Sequence, residues 1–159
     1  MSGIKLPQAR KFVISGAAAV AVALPLAMVS APAQAATTLN GCTVTPLRPV
    51  VVGQVGGVPE VRFATRVTCS KDRIVQIRDQ RREADSPAGI AGDQSYGSTT
   101  YLRTFDSQRT IVVSTLDLVT NTENSNEEVY HRTSFRVASI NGVSGWTNFE
   151  NSPQRSVNN

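Results

Sequence analysis

Residue types that carry out catalysis or bind metals are scarce in this chain. Its 159 residues include one histidine, His131, and two cysteines, Cys42 and Cys69. A zinc site takes three or four ligands, mostly cysteine and histidine, and neither a second histidine nor a further cysteine is present to complete one. We therefore predict no metal and no cofactor, and we interpret His131 as a structural side chain.

Arrangements of side chains that define an active site are missing as well. No serine lies in the glycine-flanked turn of a hydrolase nucleophile. Glu127 and Glu128 are sequence neighbours, so in a strand they point to opposite faces and cannot act as a pair. The glycines of the segment 86–98 lack the strand–loop–helix context of a phosphate-binding loop. We predict no catalytic residues, and a secreted hydrolase that uses His131 stays as an alternative.

A strong charge of one sign is also absent once the N-terminal segment is set aside. The chain has 16 basic and 12 acidic residues. Three of the basic residues and none of the acidic ones precede residue 36, so 13 basic and 12 acidic residues follow it, a net charge of +1. Nucleic-acid binding depends largely on phosphate neutralisation by an excess of Lys and Arg. We therefore predict no nucleic-acid partner.

Residues 1–35 contain the three parts of a secretory signal peptide. Basic residues begin the segment, an apolar run extends from Phe12 to Val29, and Ala33-Gln34-Ala35 supplies the small residues of a cleavage site. We predict cleavage before Ala36 and a secreted or cell-wall-associated protein without stable membrane insertion. The alternative is an uncleaved anchor, because the apolar run approaches the roughly 18 residues that span a bilayer.

The remaining residues, 36–159, have the length of one domain and the pattern of strands. Apolar and polar residues alternate in PEVRFATRVTC, 59–69, and in EVYHRTSFRVA, 128–138, and turn signals recur between such runs. RIVQIRDQRREAD, 73–85, could form a helix on composition, but its β-branched residues favour a strand. We predict an all-β fold, a sandwich of seven antiparallel strands.

Proline, glycine and asparagine set the expected ends of these strands. Pro46 and Pro49 lack the donor that a central strand needs, so the first run is an edge strand that changes sheets at the prolines. The segment 86–98 is a long loop, and strands follow over 99–105 and 110–118. Asn141-Gly142 forms the tight turn of the last hairpin.

The two cysteines are expected to form a disulfide. If the first strand is antiparallel to 59–69, its start lies beside the end of that strand, which brings Cys42 next to Cys69. Such a bond persists in an exported protein and contributes about 3 kcal/mol to stability. The alternative is a lipid anchor on Cys42, because Leu39-Asn40-Gly41-Cys42 resembles a lipobox. Cys69 would then be a free thiol.

The last hairpin resembles a known family. SFRVASINGVSGWTNF, residues 134–149, resembles the last two strands of a fibronectin type III domain. The matching positions are Phe135, Val137, Asn141, Gly142 and Trp146. The resemblance implies an immunoglobulin-like sandwich with Greek-key strand order, of the kind found in secreted bacterial proteins of actinobacterial type.

One outer face of this sandwich is expected to carry arginine and aromatic side chains. The members of this candidate binding face are Arg78, Arg82, Tyr130, Arg132, Arg136 and Trp146. Strand parity puts the first five on one side of two neighbouring strands, and Trp146 on the last strand can stack on the arginines. Trp146-Thr147-Asn148-Phe149 is similar to the Trp-Ser-x-Trp-Ser segment that cytokine-receptor domains use in this way.

Two interpretations of the candidate binding face stay open. In the first it is a solvated surface on which the arginines pair with Glu128, Glu150 and Asp79. In the second it binds a partner, because Arg, Tyr and Trp are enriched at interface hot spots.

We predict a non-catalytic secreted or cell-surface binding module whose partner is a protein or a cell-envelope component. The alternative is a small-molecule carrier, because TVTP, 43–46, resembles the immunoglobulin-like apoproteins that shelter antibiotic chromophores.

Overall fold

The computed structural model of the protein describes residues 35–84, 93–120 and 126–158. The expected signal peptide, except Ala35, lies outside these described residues, and so does most of the expected loop at 120–126. Within the described ranges every regular element is a β-strand. Those ranges contain no helix that is long and apolar enough to cross a membrane.

Eleven strands occur in the described ranges. In chain order they are β1 (Thr37–Leu39), β2 (Cys42–Pro46), β3 (Val50–Val55), β4 (Val58–Cys69), β5 (Arg73–Glu83), β6 (Ser95–Phe105), β7 (Arg109–Leu118), β8 (Glu127–Ser139), β9 (Gly142–Val143), β10 (Glu150–Asn151) and β11 (Arg155–Val157). The long strands coincide with the alternating segments of the sequence, because alternation gives a sheet one buried and one solvated face.

The first sheet is built around β4. Strand β7 pairs antiparallel with one edge of β4 without a break, from the pair Glu60–Leu118 to the pair Cys69–Arg109. Strands β2 and β3 share the other edge of β4: β2 pairs with the second half of β4 and β3 with the first half. The short β1 pairs with the outer edge of β2.

The second sheet is built around β5 and β8, which pair antiparallel with each other. Strand β6 covers the other edge of β5. The short strands β9, β10 and β11 pair in succession with the remaining edge of β8. The last strand expected from the sequence is therefore divided into three pieces.

The chain passes from one sheet to the other after β4, after β6 and after β7, so β7 returns to β4 and β8 returns to β5. Such non-sequential neighbours are typical of Greek-key sandwiches. Apart from the short β1, seven strand positions result if β2 and β3 are counted as one and β9 to β11 as one. The predicted fold class, an all-β antiparallel sandwich, is confirmed.

The N-terminal run differs from its prediction in two respects. Asn40 and Gly41 both have positive φ angles, 48° and 77°, which is the backbone of a tight hairpin turn, so the run is divided into β1 and β2. In addition, the chain does not change sheets at Pro46 and Pro49, because β2 and β3 both pair with β4. Residues 47–49 separate β2 from β3, of which Leu47 still donates to the Ala64 carbonyl of β4 at 2.8 Å, and β3 then continues along the same edge of β4.

Two other boundaries move. The last hairpin turns at Ile140 and Asn141, one residue earlier than expected. Gly142, whose φ angle is 116°, is already paired with Ser139 and therefore belongs to the following strand. Strand β6 begins at Ser95, inside the expected loop, because β5 is long enough to pair with it there. The part of that loop at 86–92 lies outside the described residues.

Cys42 and Cys69 form a disulfide, as predicted. They are directly opposite each other in the register of β2 and β4, with Cα atoms 4.1 Å apart, and both are buried. The bond therefore joins neighbouring strands of one sheet.

The interior contains two apolar clusters. The larger one, the disulfide cluster, consists of Cys42, Val44, Val67, Cys69, Val75, Ile77, Tyr101, Phe105, Val113, Phe135 and Val137. The smaller one consists of Val61, Phe63, Val119, Val129 and Val157. Between them lies a charged belt made of Thr65 of β4, Asp79 and Arg81 of β5, Asp117 of β7 and His131 of β8.

Candidate binding face

The candidate binding face is the outer surface of the second sheet. Alternate residues of β5 and β8 point into the core, so Arg78 and Arg82 of β5 and Arg132 and Arg136 of β8 point outwards, as parity predicts. Trp146 lies in the segment between β9 and β10 that follows the edge of β8. The arginines thus form two adjacent rows beside one indole ring.

Arginine side chains of this face stack on the rings of Trp146 and of the neighbouring Phe149. The guanidinium carbon of Arg78 lies 3.7 Å from the centroid of the Trp146 ring, and that of Arg136 lies 5.0 Å from it. The guanidinium carbon of Arg132 lies 4.8 Å from the centroid of the Phe149 ring. Each contact is within the roughly 6 Å range of a cation–π interaction and contributes about 0.5–2 kcal/mol. The stacking expected for Trp146 is present.

Two glutamines orient the arginines of β8. The Nε of Arg136 donates to Oε1 of Gln76 at 2.8 Å, and the Nε of Arg132 donates to Oε1 of Gln80 at 2.8 Å. Each glutamine is the direct cross-strand neighbour of its arginine. Because an amide acceptor is neutral, these bonds fix the arginine rotamers and leave the positive charge of the face uncompensated.

The segment that carries Trp146 is fixed to β8 on either side of the indole. The hydroxyl of Ser144 accepts from the N–H of Val137 at 2.9 Å, and the N–H of Ser144 donates to the Val137 carbonyl at 2.9 Å. Thr147 makes the same two contacts with Phe135, at 3.0 and 2.9 Å. On each side of Trp146 the backbone N–H of β8 therefore donates to a side-chain hydroxyl, and the backbone C=O of β8 accepts from a backbone N–H. These four bonds fix the position of Trp146 beside β8.

Tyr130 is on the outer side of β8 but is covered, so its assignment to an exposed face is corrected. Its side chain is 4% exposed, and its hydroxyl donates to Oδ2 of Asp93, which precedes β6. Burial, followed by the hydrogen bond and charge of Asp93, raises the pKa of Tyr130 to about 12, against smaller opposing effects of Arg82 and Arg132. Arg82, its half-buried cross-strand neighbour, is likewise at the margin of the face.

Two of the three carboxylates expected to pair with the arginines, Asp79 and Glu150, are engaged elsewhere. Asp79 points into the interior, and Glu150 accepts a hydrogen bond from Thr37 at 2.9 Å. Among the described residues no ion pair joins Arg78, Arg132 or any other arginine of the face to a carboxylate. The ion pairs that the solvated interpretation expects with Asp79 and Glu150 are therefore not formed among the described residues.

His131 lies inside the sandwich, as its parity predicts, and has no exposed surface. Its Nε2 donates to the carbonyl of Leu47 at 2.8 Å, since a carbonyl oxygen can only accept. Its Nδ1 lies 2.9 Å from Oδ2 of Asp79, which also accepts from the Thr65 hydroxyl at 3.3 Å. Both ring nitrogens are therefore used in contacts that join β8 to β5 and to the segment between β2 and β3.

Arg81 is the second buried charge of the belt. It forms an ion pair with Asp117, and its Nη1 donates to the hydroxyl of Thr99 at 2.8 Å. Desolvation raises the pKa of Asp117, although the positive charge of Arg81 acts in the opposite direction. The described ranges hold no group of three His, Cys, Asp or Glu side chains that could bind a metal ion.

An open groove lies at the hairpin end of the second sheet. It has a volume of about 370 Å³ and is lined by Ile74, Ala138 and Ile140 among others. Ile140 is 95% exposed, so the groove is a surface depression at the end of the sheet. It does not enter the space between the sheets, where the two apolar clusters and the charged belt lie.

The fold and the disulfide define the class of this molecule, a disulfide-bonded antiparallel β-sandwich. A scan against protein-family models gave no match to the chain, and a search of curated proteins gave none either.

Proposed function

We propose that this protein is an exported, non-catalytic binding module that recognises an acidic surface on a protein or cell-envelope partner. The observation that carries the proposal is the stack of Arg78 and Arg136 on Trp146, continued by Arg132 on Phe149. Arginine and tryptophan are the residues most enriched among binding hot spots.

The state of the arginines supports a ligand of negative charge. The Nε atoms of Arg132 and Arg136 are bonded to neutral glutamines, and among the described residues no ion pair joins these arginines or Arg78 to a carboxylate. A guanidinium group presents its remaining donors in a planar fork that matches a carboxylate. Because the side chains are already fixed, binding would cost little additional conformational entropy.

The disulfide supports export, since such bonds persist in oxidising compartments and are rare in the cytosol. The N-terminal pattern of basic start, apolar run and small-residue cleavage site agrees with it. We propose secretion, with or without retention at the cell wall.

The carrier alternative has less support. A small-molecule carrier needs an enclosed apolar cleft, whereas the groove beside the exposed Ile140 is a partly open depression at the surface. The interior of the described residues is occupied by the two apolar clusters and the charged belt. The flat outer surface of the second sheet is better suited to contact with a macromolecule.

The proposal can be tested by fluorescence, because Trp146 is the only tryptophan in the chain. Poly-L-glutamate serves as an acidic probe, and we expect it to shift the Trp146 emission. The variant Arg78→Gln/Arg136→Gln should weaken binding by at least about tenfold, the effect of losing one hot-spot residue.

The matched control is Arg62→Gln/Arg66→Gln, which removes the same charge from exposed positions on the outer face of the first sheet. We expect this control to bind like the unmodified protein. Equal weakening by both pairs would indicate nonspecific charge attraction, and an unchanged emission at saturating probe would overturn the proposed binding face.

A further inference from the structure

Strand β7 is an open edge of the first sheet. One side of it pairs with β4 over its whole length, from Arg109 to Leu118, without a register shift. No other strand of the described residues pairs with its second side. Exposed edges of this kind present unpaired N–H and C=O groups that can pair with another strand.

Among the longer open edges of the described residues, β3 and β6 are irregular, whereas β7 is regular, and the remaining edge strands β1, β9, β10 and β11 have only two or three residues each. Strand β3 has a register shift between Val51 and Gly53, and β6 pairs with β5 across a shift between Arg81 and Arg82. Bulges, prolines and lysines are the usual means of protecting an edge. Strand β7 contains no bulge, proline or lysine, and its two charged residues are Arg109 at one end and Asp117, which is paired with Arg81.

The outer side of β7 is apolar and exposed. Val112, Leu116 and Leu118 are 56%, 50% and 46% exposed. They point away from the interior, because the alternate residue Val113 is in the disulfide cluster. An apolar row next to an unpaired edge is suited to being extended by a second strand of similar composition.

The sequence of β7 fits a second copy of itself in the antiparallel direction. Its two charged residues, Arg109 and Asp117, lie near opposite ends. Parallel pairing in register would place like charges side by side, whereas antiparallel pairing separates them and leaves Asp117 paired with Arg81 of its own copy. A two-fold axis at Ser114 then sets Val112 opposite Leu116 of the second copy, twice in the interface.

We propose that two copies of this protein associate through antiparallel pairing of their β7 strands, with Ser114 at the two-fold axis. The two first sheets join into one continuous sheet across the dimer. The candidate binding face lies on the other sheet of each copy and stays accessible.

Sedimentation equilibrium of the purified protein tests the proposal. We expect a reversible monomer–dimer equilibrium. The variant Val112→Lys/Leu116→Lys places lysine opposite lysine across the interface and should weaken dimerisation by at least about tenfold. The variant Val112→Lys/Leu116→Glu places lysine opposite glutamate at the same positions and should restore dimerisation. Leu102→Lys, on the exposed edge strand β6, is the control and should leave the equilibrium unchanged.

Cross-linking tests the register. Ser114→Cys should give a disulfide-linked dimer under mild oxidation, because the two residues face each other at the axis. Thr110→Cys should not, because the two Thr110 positions lie roughly 26 Å apart along the paired strands. A protein that stays monomeric at millimolar concentration, or two double variants that associate equally, would overturn the proposal. So would a Thr110→Cys variant that cross-links as readily as Ser114→Cys.

Discussion

The disulfide cluster and the charged belt occupy the same interior and are stabilised in different ways. The disulfide cluster is apolar and closed by Cys42–Cys69, so each of its positions requires volume and hydrophobicity. The belt buries Asp79, Arg81 and His131, each of which requires a particular partner. Apolar positions tolerate residues of similar volume, whereas a buried polar group that loses its partner retains its desolvation cost. The belt should therefore be the part of the core most sensitive to single substitutions.

Removing Asp79 should have the largest effect on stability. Asp79→Ala leaves Nδ1 of the buried His131 and the Thr65 hydroxyl without the partner they share, and we expect a loss of about 3–5 kcal/mol in the free energy of unfolding. Urea denaturation measures it. Ile77→Val, in the disulfide cluster, is the control and should cost about 0.5–1.5 kcal/mol. Similar losses for the two variants would remove the distinction between the regions.

Replacing the pair as a whole sharpens the same comparison. Asp79→Leu/His131→Phe removes both polar partners and keeps much of their volume, so we expect it to be more stable than Asp79→Ala. If the double variant is less stable than Asp79→Ala, the polar contacts of the belt stabilise the fold by more than the cost of burying their polar groups.

Removing the disulfide should have the next largest effect. Cys42→Ala/Cys69→Ala should lower the free energy of unfolding by about 3 kcal/mol, because the unfolded chain regains the freedom of the closed loop. Urea denaturation with and without a reductant checks the result. The variant should be insensitive to the reductant, and a variant as stable as the oxidised protein would contradict the expectation.

The stack on the outer face should contribute less than either interior region. A double-mutant cycle of Arg78→Ala and Trp146→Ala should give a coupling energy of about 0.5–1 kcal/mol, as for exposed cation–π pairs. Arg62→Ala combined with Trp146→Ala is the control, since Arg62 lies on the opposite sheet, and this pair should be additive. Equal coupling in both cycles would show that the stack is not specific.

Ionisation of Tyr130 affects stability only in alkaline solution, so its effect is the smallest of these near neutral pH. Because its pKa is raised to about 12 in the folded protein, from about 10 in the unfolded chain, its contribution to stability is present below pH 10 and is lost as the pH rises through 12. Tyr130→Phe should remove this part of the pH dependence. Rapid pH jumps followed by absorbance of tyrosinate measure it, and ionisation of Tyr130 near pH 10 would contradict it.

Much of the fold could be predicted from the alternation of residues. Alternation in β4 and β8 identified the inward residues, and the antiparallel register then brought Cys42 to Cys69. Turns were less predictable, because the same dipeptide has two outcomes. Asn40-Gly41 forms the two central residues of a turn, whereas Gly142 is already paired.

The belt and the details of the binding face could be predicted only in part. Asp79 has inward parity, but a carboxylate is expected at the surface unless a partner is known, and His131 is distant in sequence. Gln76 and Gln80 alternate with arginines along β5, which is a visible pattern. Their role became clear only when β8 was placed beside them. The cover over Tyr130 depends on Asp93, whose position no local pattern specifies.

The position of the disulfide also determines how the protein responds to a pulling force. A force applied to the chain before Cys42 passes through the sulfur atoms to Cys69 and on to the chain that follows it, since the bond joins the first residue of β2 to the last residue of β4. The intervening residues then carry no tension. They would extend by roughly 90 Å if released, so the bond keeps the length of a stretched molecule short for as long as it is oxidised.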